Sequence, residues 1–321
     1  MPDERISKAW AACAVLGAAV LWSSSYAVTK NVLDDVGPLT IGAVRFTLAA
    51  ILLAAMTFLI RGPMTRPTRR QRRLMYLSGL LGITVYFILE NVGVQLSVAS
   101  DASLIVATYP LMTMLLELVV FRARMPLTRV AGVLLAGGGA VLIVRNGAEV
   151  GGGARWLGDI LLLIGGLVWA GYSLLTKMYG DGLNAVVTTY HQTLAGAGGF
   201  LIASILEIRD WAVPSPSSAV LLGYLAVACS IGGFLLYNHG LRGMKSSAAV
   251  NILNLVPVFG VIGAIVMNDE TVRLPQIGGG AIIIAGVTLG LLESKPPSPE
   301  NIPLQPESDL GAPSSAGLGT D

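Results

Sequence analysis

LWSSSYAVTK (21–30) and VWAGYSLLTK (168–177) stand 147 residues apart and align without a gap. Within them Trp22 falls on Trp169, Thr29 on Thr176 and Lys30 on Lys177. The same shift carries Asn91 onto Asn238, Gly93 onto Gly240, Ser100 onto Ser247, Pro110 onto Pro257, Gly132 onto Gly279 and Gly139 onto Gly286. The chain reads as two successive copies of one pattern. If each copy holds an odd number of membrane spans, the second sits upside down relative to the first, the arrangement by which secondary transporters expose one site alternately to two sides.

Composition agrees with a membrane setting. Of 321 residues 54% are hydrophobic and 12% charged, against about 25% charged in an average soluble domain. The net charge of +2, with no stretch in which basic and aromatic residues alternate, argues against a nucleic-acid partner. Cys13 and Cys229 both lie in apolar runs and read as small buried hydrophobes rather than as a disulfide.

Ten apolar stretches are long enough to cross about 30 Å of hydrocarbon. They fall at 10–33, 38–61, 74–97, 100–121, 126–145, 157–179, 185–207, 218–241, 247–267 and 275–292, with breakers between them such as Gly37-Pro38, Pro63, Pro67, Pro126, Gly151 to Gly153, Pro214 and Pro275. Five spans per copy is odd, so the expected fold class is an all-α integral membrane protein with ten transmembrane helices in two inverted five-helix repeats. The expected organisation is a cytoplasmic N-terminus at 1–9, a first repeat at 10–145, an inter-repeat loop at 146–156, a second repeat at 157–292 and a disordered cytoplasmic tail at 293–321. The tail follows from its Pro, Ser, Gly and acidic content, which buries too little apolar surface to order itself. Arg5 and Lys8 precede an apolar run without a small-residue cleavage site, so the first span reads as a retained helix. Of the 21 Lys and Arg residues, fifteen fall on the side of the N-terminus and five on the other. The excess places both termini in the cytoplasm of a cell-membrane protein.

Ionisable groups inside spans need a partner, a wet cavity or a task. Arg45 in the second span and Glu90 in the third lie at similar depth and are expected to pair, either tying the helices or gating a pathway. Under the repeat they map onto Gln192 and Tyr237. Glu90 shares a helix face with Tyr86, Gly93 and Ser97, with Asn91 one step round, a stripe that suits a cavity wall. An incompletely paired Glu90 would also suit a coupling proton. Trp22 and Tyr26 in the first span and Trp169 and Tyr172 in the sixth recur at helical spacing, at a depth where an interfacial aromatic belt is not expected. Pro110 and Pro257 fall near mid-membrane and are expected to kink the fourth and ninth spans, with Tyr109 and Asn254 beside them and Asn251 a turn earlier.

His191 and His239 have no Cys, Asp or Glu at ligand spacing and read as packing histidines, so no metal is expected. Glu117 is expected to reach toward Arg122 or Arg124. The glycines at 137–139, 278–280, 286 and 290 fit close packing of the fifth and tenth spans, or of two copies of the chain. No Gly-x-x-x-x-Gly-Lys-Ser/Thr loop is present, so the chain is not expected to hydrolyse ATP. Neither a catalytic motif nor a cofactor motif stands out; a membrane-embedded enzyme or a receptor is the rival of another class, since an intramembrane protease needs only a Ser and a His brought together.

The chain resembles the drug/metabolite transporter superfamily, of the EamA type, over about residues 13–292. The resemblance rests on LWSSSYAVTK (21–30), GPLT with VRF (37–46), ASLIVATYPL (102–111), GDILL (158–162) with VWAGY (168–172), and LNLVPVF (253–259). It implies a central cavity lined by the first, third, fourth, sixth, eighth and ninth helices. That cavity would carry Trp22, Tyr26, Tyr86, Glu90, Tyr109, Trp169, Tyr172, Tyr237 and Asn254. It also implies a small-molecule substrate: export of an amino acid or a related polar or amphipathic metabolite, with export of cationic drugs or uptake as alternatives. The expected partners are that substrate, a coupling proton and membrane lipid, in a monomer or a homodimer. Where the family usually has an acidic residue after the fourth helix this chain has Ala123, while Glu270 keeps it after the ninth.

Overall fold

A computed structural model of the chain describes residues 8–59, 67–120, 126–150, 153–178, 183–241 and 252–292. The expected tail, Asn251, Arg122, Ala123, Arg124 and the side chain of Glu117 lie outside the described residues. Among the described residues the regular structure is helical throughout. In chain order the helices are α1 (Lys8–Val32), α2 (Pro38–Leu59), α3 (Arg69–Leu96), α4 (Ala99–Val120), α5 (Leu127–Val150), α6 (Arg155–Lys177), α7 (Ala185–Ala203), α8 (216–241), α9 (Val256–Asn268) and α10 (Leu274–Leu292). Seven of them are long and apolar enough to span a bilayer, and the described parts of α9 and α10 are shorter apolar helices.

Two boundaries differ from expectation. Helix α3 starts at Arg69 rather than 74, because Thr68 and Gln71 form a reciprocal cap that draws the arginines into the first turn. Helix α5 is described as far as Val150, through Asn146 and Gly147; the linker expected at 146–156 is correspondingly shorter. Cys13 is exposed on the surface of α1 rather than buried, and Cys229 is buried.

The packing obeys the repeat. Helices α1 and α6, α2 and α7, α3 and α8, α4 and α9, and α5 and α10 are repeat equivalents, and each major contact has its image: α3 on α6 matches α8 on α1, α4 on α6 matches α9 on α1, and α3 on α7 matches α8 on α2. The pairs α2–α7, α4–α9 and α5–α10 lie on the pseudo-two-fold themselves. At α5–α10 the symmetry reaches single residues. A Cβ on Gly132 would lie 2.6 Å from the Gly286 carbonyl oxygen, and one on Gly139 would lie 2.5 Å from that of Gly279; the 147-residue shift converts one contact into the other. Gly137, Gly138 and Gly278 face open space instead, so only part of the expected glycine set makes the interface.

Irregularities repeat as well. A π-helical turn interrupts α3 at Leu80–Val85 and α8 at Leu225–Gly232. Shifted by 147, the first falls at 227–232, inside the second. Helix α4 breaks at residues 107–108, and the turn at 254–255 before α9 is its image. Tyr109-Pro110 and Val256-Pro257 then open the following helical pieces, where proline's missing N–H costs nothing. The expected kinks are thus full breaks.

Candidate functional site

Helix α3 builds the centre of the site. Tyr86 donates its hydroxyl to the Glu90 carboxylate one turn further on, and both are buried. The phenols of Tyr26 from α1 and Tyr109 from α4, also buried, gather on the same pair. Tyr109 donates in turn to the Leu162 carbonyl of α6 at 2.9 Å. A single carboxylate is therefore bonded by one phenol and has two more, from two other helices, in its neighbourhood.

Aromatic faces extend from this centre. Tyr86 meets Tyr109 at 6.0 Å and Trp169 at 5.1 Å between ring centres, and Trp169 meets Tyr172 at 5.0 Å. A second group joins α1 to α8: Trp22 packs 5.4 Å from both Phe234 and Tyr237. Its indole N–H reaches the Cys229 carbonyl, in the π-turn of α8, at 3.2 Å. Gly233, the repeat equivalent of Tyr86, leaves the room that the Trp22 ring occupies. The halves therefore share a frame but not a chemistry, since the phenol and carboxylate of α3 are answered in α8 by Gly233, on which the Trp22 indole of α1 is seated, and by Tyr237.

The expected ion pair of Arg45 and Glu90 is not formed: no oxygen of Glu90 lies within 4.0 Å of the guanidinium. Depth along the bilayer matched them, but their helices aim them at different partners. Arg45 Nε donates to Ser230 Oγ in the π-turn of α8 at 2.8 Å, and its guanidinium lies over Phe46 and Phe87 at 5.1 and 4.7 Å. Arg45 is 3% exposed, and its Nη1 is buried without a hydrogen-bond partner. Asn91 is also reassigned, because its Nδ2 donates to the Pro38 carbonyl at 2.9 Å and ties α3 to the start of α2. Asn254 lies in the turn before α9, half-buried. His191 packs between Tyr76 and Tyr190.

At the end of the bundle opposite the N-terminus the helices are joined by polar ties that the spacing of residues did not reveal. Lys30 Nζ donates to the carbonyls of Val94, Gln95 and Ser97 at the end of α3. Glu207 accepts from the Leu39 and Thr40 amides at the start of α2, and Glu270 from the Ala99 and Ser100 amides at the start of α4. Each carboxylate thus serves the free N–H groups of a helix N-terminus. Arg155 holds Asp101 through two N–H groups at 2.9 and 2.7 Å. Asp101 and Asp159 escaped notice in the sequence because they fall within a turn of span ends, where a charge arouses no suspicion. By contrast Trp22, Trp169, Tyr172 and Tyr237, nearer the N-terminal end, are only half-buried. Clefts in the described residues include one near Glu207 and Trp211 and one along α4, α5 and α6; neither of these is lined by Glu90 or its rings.

Comparison with known proteins follows this architecture. The EamA-like transporter family matches twice, at residues 9–145 and 156–292. An uncharacterized transporter of Archaeoglobus fulgidus is 28% identical over 84% of the chain and 93% of its own length. The inner membrane transporter YedA of Escherichia coli K12 is 28% identical over 86% of the chain and 90% of its length. A probable terminal-alkyne amino-acid exporter of Streptantibioticus cattleyicolor is 27% identical over 84% and 89%. A crystal structure at 20% identity superposes with a TM-score of 0.61 over 89% of the chain and 98% of its own, a likeness of fold.

Proposed function

Because the chain belongs to the EamA-like transporter family, and so is a multi-pass membrane transporter of a small molecule, we propose that it exports an amino acid or a close zwitterionic metabolite across the cell membrane. The observation that carries this reading is the separation of Glu90 and Arg45. Both are buried, close enough for their charges to act on one another, yet unbonded to each other. A guanidinium with a free Nη1 and a carboxylate beside aromatic faces complement a molecule that carries its own carboxylate and ammonium. The printed name of the Streptantibioticus relative supports the same class. Both termini would lie in the cytoplasm, by the excess of Lys and Arg on that side.

Transport would proceed by rocking of the two repeats about the α5–α10 glycine contacts and the paired breaks of α4 and α9. The tied far end and the half-buried tryptophans nearer the N-terminus suit a conformation closed to the outside. Substrate entering from the cytoplasm would meet Trp22, Trp169, Tyr172 and Tyr237 first, then Tyr26, Tyr86, Glu90 and Tyr109. The test is untargeted mass spectrometry of medium and cytosol from cells carrying the protein, an empty vector or Glu90→Gln. Outward movement of an amino acid only with the intact protein is expected; identical metabolite profiles in all three would count against export.

A further inference from the structure

The far end of the bundle contains a carboxylate that forms no ion pair among the described residues. Asp159, in the first turns of α6, is fully buried. Its Oδ1 accepts from Ser97 Oγ, just past the end of α3, at 2.5 Å, while its Oδ2 is buried with no hydrogen-bond partner among the described residues. On the side of α5, Oδ2 sits so close to Gly147 that a Cβ there would lie 2.7 Å away.

The charged groups around it are already committed. Arg155, a turn earlier on α6, spends two N–H groups on Asp101 Oδ2 of α4. Gln276 of α10 donates to Asp101 Oδ1 at 2.7 Å and completes that carboxylate. Lys30 of α1 gives its three bonds to backbone carbonyls of α3, and Glu270 is held by the start of α4. Two fully buried carboxylates therefore face one guanidinium, which is bound by the other. Burying an ionised carboxylate without a cation bonded to it is costly, whereas a neutral carboxylic acid in the same place carries no such charge penalty.

We propose that Asp159 is a proton-binding site: the far end as seen here holds a proton on Asp159, and its loss leaves a second negative charge beside Asp101 that drives α6 away from α4. The site is distinct from the substrate-facing carboxylate of Glu90. It rests on the transport reading only for the opening, and proton occupancy can be read without any substrate.

The experiment is infrared spectroscopy of the full-length protein in liposomes, titrated from acidic to alkaline pH at fixed sodium, following the carbonyl stretch of protonated carboxylic acids. A pH-dependent component lost in Asp159→Asn and kept in Glu90→Gln is expected. Ser97→Ala, which removes the one hydrogen bond that Asp159 accepts on its side chain among the described residues, should shift the midpoint of that component upward, and serves if Asp159→Asn does not fold. On a background free of Cys13 and Cys229, labelling of a buried Ala102→Cys at the far end by an impermeant maleimide should rise with pH more steeply than that of a fully exposed cysteine, whose rise reflects thiolate formation alone, and Asp159→Asn should abolish that excess. The proposal fails if the titrating component survives Asp159→Asn, if Ser97→Ala leaves its midpoint unmoved, or if it follows sodium at fixed pH. Loss of the component in Asp159→Asn, with no metabolite export by the wild-type protein, would sink the export reading and leave the proton site standing.

Discussion

Tyr86 and Glu90 lie one turn apart on α3, and the phenol of the first donates to the carboxylate of the second inside the bundle. The bond uses one side of the carboxylate and orients the other. Tyr86→Phe should therefore leave the helix intact while removing a hydrogen bond to a charged group, worth about 1.5 to 3 kcal/mol. The account expects initial export to fall roughly tenfold or more, read at equal membrane levels.

Arg45 is held by Ser230 and two phenylalanine rings rather than by Glu90. Its repeat equivalent, Gln192, makes a similar reach from α7 to Ser78 of α3 at 3.1 Å. Arg45→Gln should thus fold, keep a bond to Ser230 and lose recognition of a substrate carboxylate. Detergent-solubilised protein is expected to melt near the wild-type temperature while export of an amino acid falls sharply.

The α5–α10 interface depends on Gly139 and not on Gly138. A side chain at Gly139 meets the Gly279 carbonyl, whereas one at Gly138 meets nothing within 4 Å. Gly139→Val should destabilise by about 1 to 3 kcal/mol through overpacking, and Gly138→Val should be neutral. Thermal unfolding of the two variants side by side distinguishes them.

Glu207 closes the start of α2 with both carboxylate oxygens and also accepts from Thr40 Oγ1 at 2.7 Å. Glu207→Ala should cost about 1 to 2 kcal/mol, as other lost helix caps do, and should increase proteolysis of the loop between α1 and α2.

The neighbouring loop carries a pH-sensitive tie. Hydrogen bonds from Ser218 and Ser215 hold the Asp35 carboxyl below the ordinary aspartate range. A depressed folded value means that the tie stabilises above the unfolded pKa of about 3.9 and is lost as pH falls through the folded value. Asp35→Asn should remove that acid-side component from a melting-temperature profile.

Much of this was legible in the residues. Apolar runs of membrane length located the helices, and the 147-residue shift announced the symmetry that Gly132, Gly139, Gly279 and Gly286 realise. Helical spacing brought Tyr86 beside Glu90 and Trp169 beside Tyr172, because i to i+3 and i+4 neighbours share a face whatever the tertiary fold. Matching depth, however, says nothing of the direction a side chain takes about its helix axis, and so Arg45 was paired with the wrong group. The π-turns of α3 and α8 left no compositional mark, since Leu80–Val85 and Leu225–Gly232 are ordinary apolar helix. Asp159 stood in plain view in GDILL, but only the fold brings Ser97, Asp101 and Gly147 to it.

The most direct test of the central claim, that solute passes the Tyr86–Glu90–Trp169 cluster, is the initial export rate of the identified metabolite from preloaded liposomes containing the protein. Wild type would be compared with Glu90→Gln, Trp22→Ala, Tyr109→Ala and Trp169→Ala at matched incorporation. The account predicts near-background rates for Glu90→Gln and Trp169→Ala and strongly reduced rates for the other two. Wild-type rates in all four would contradict it and move the pathway elsewhere in the bundle.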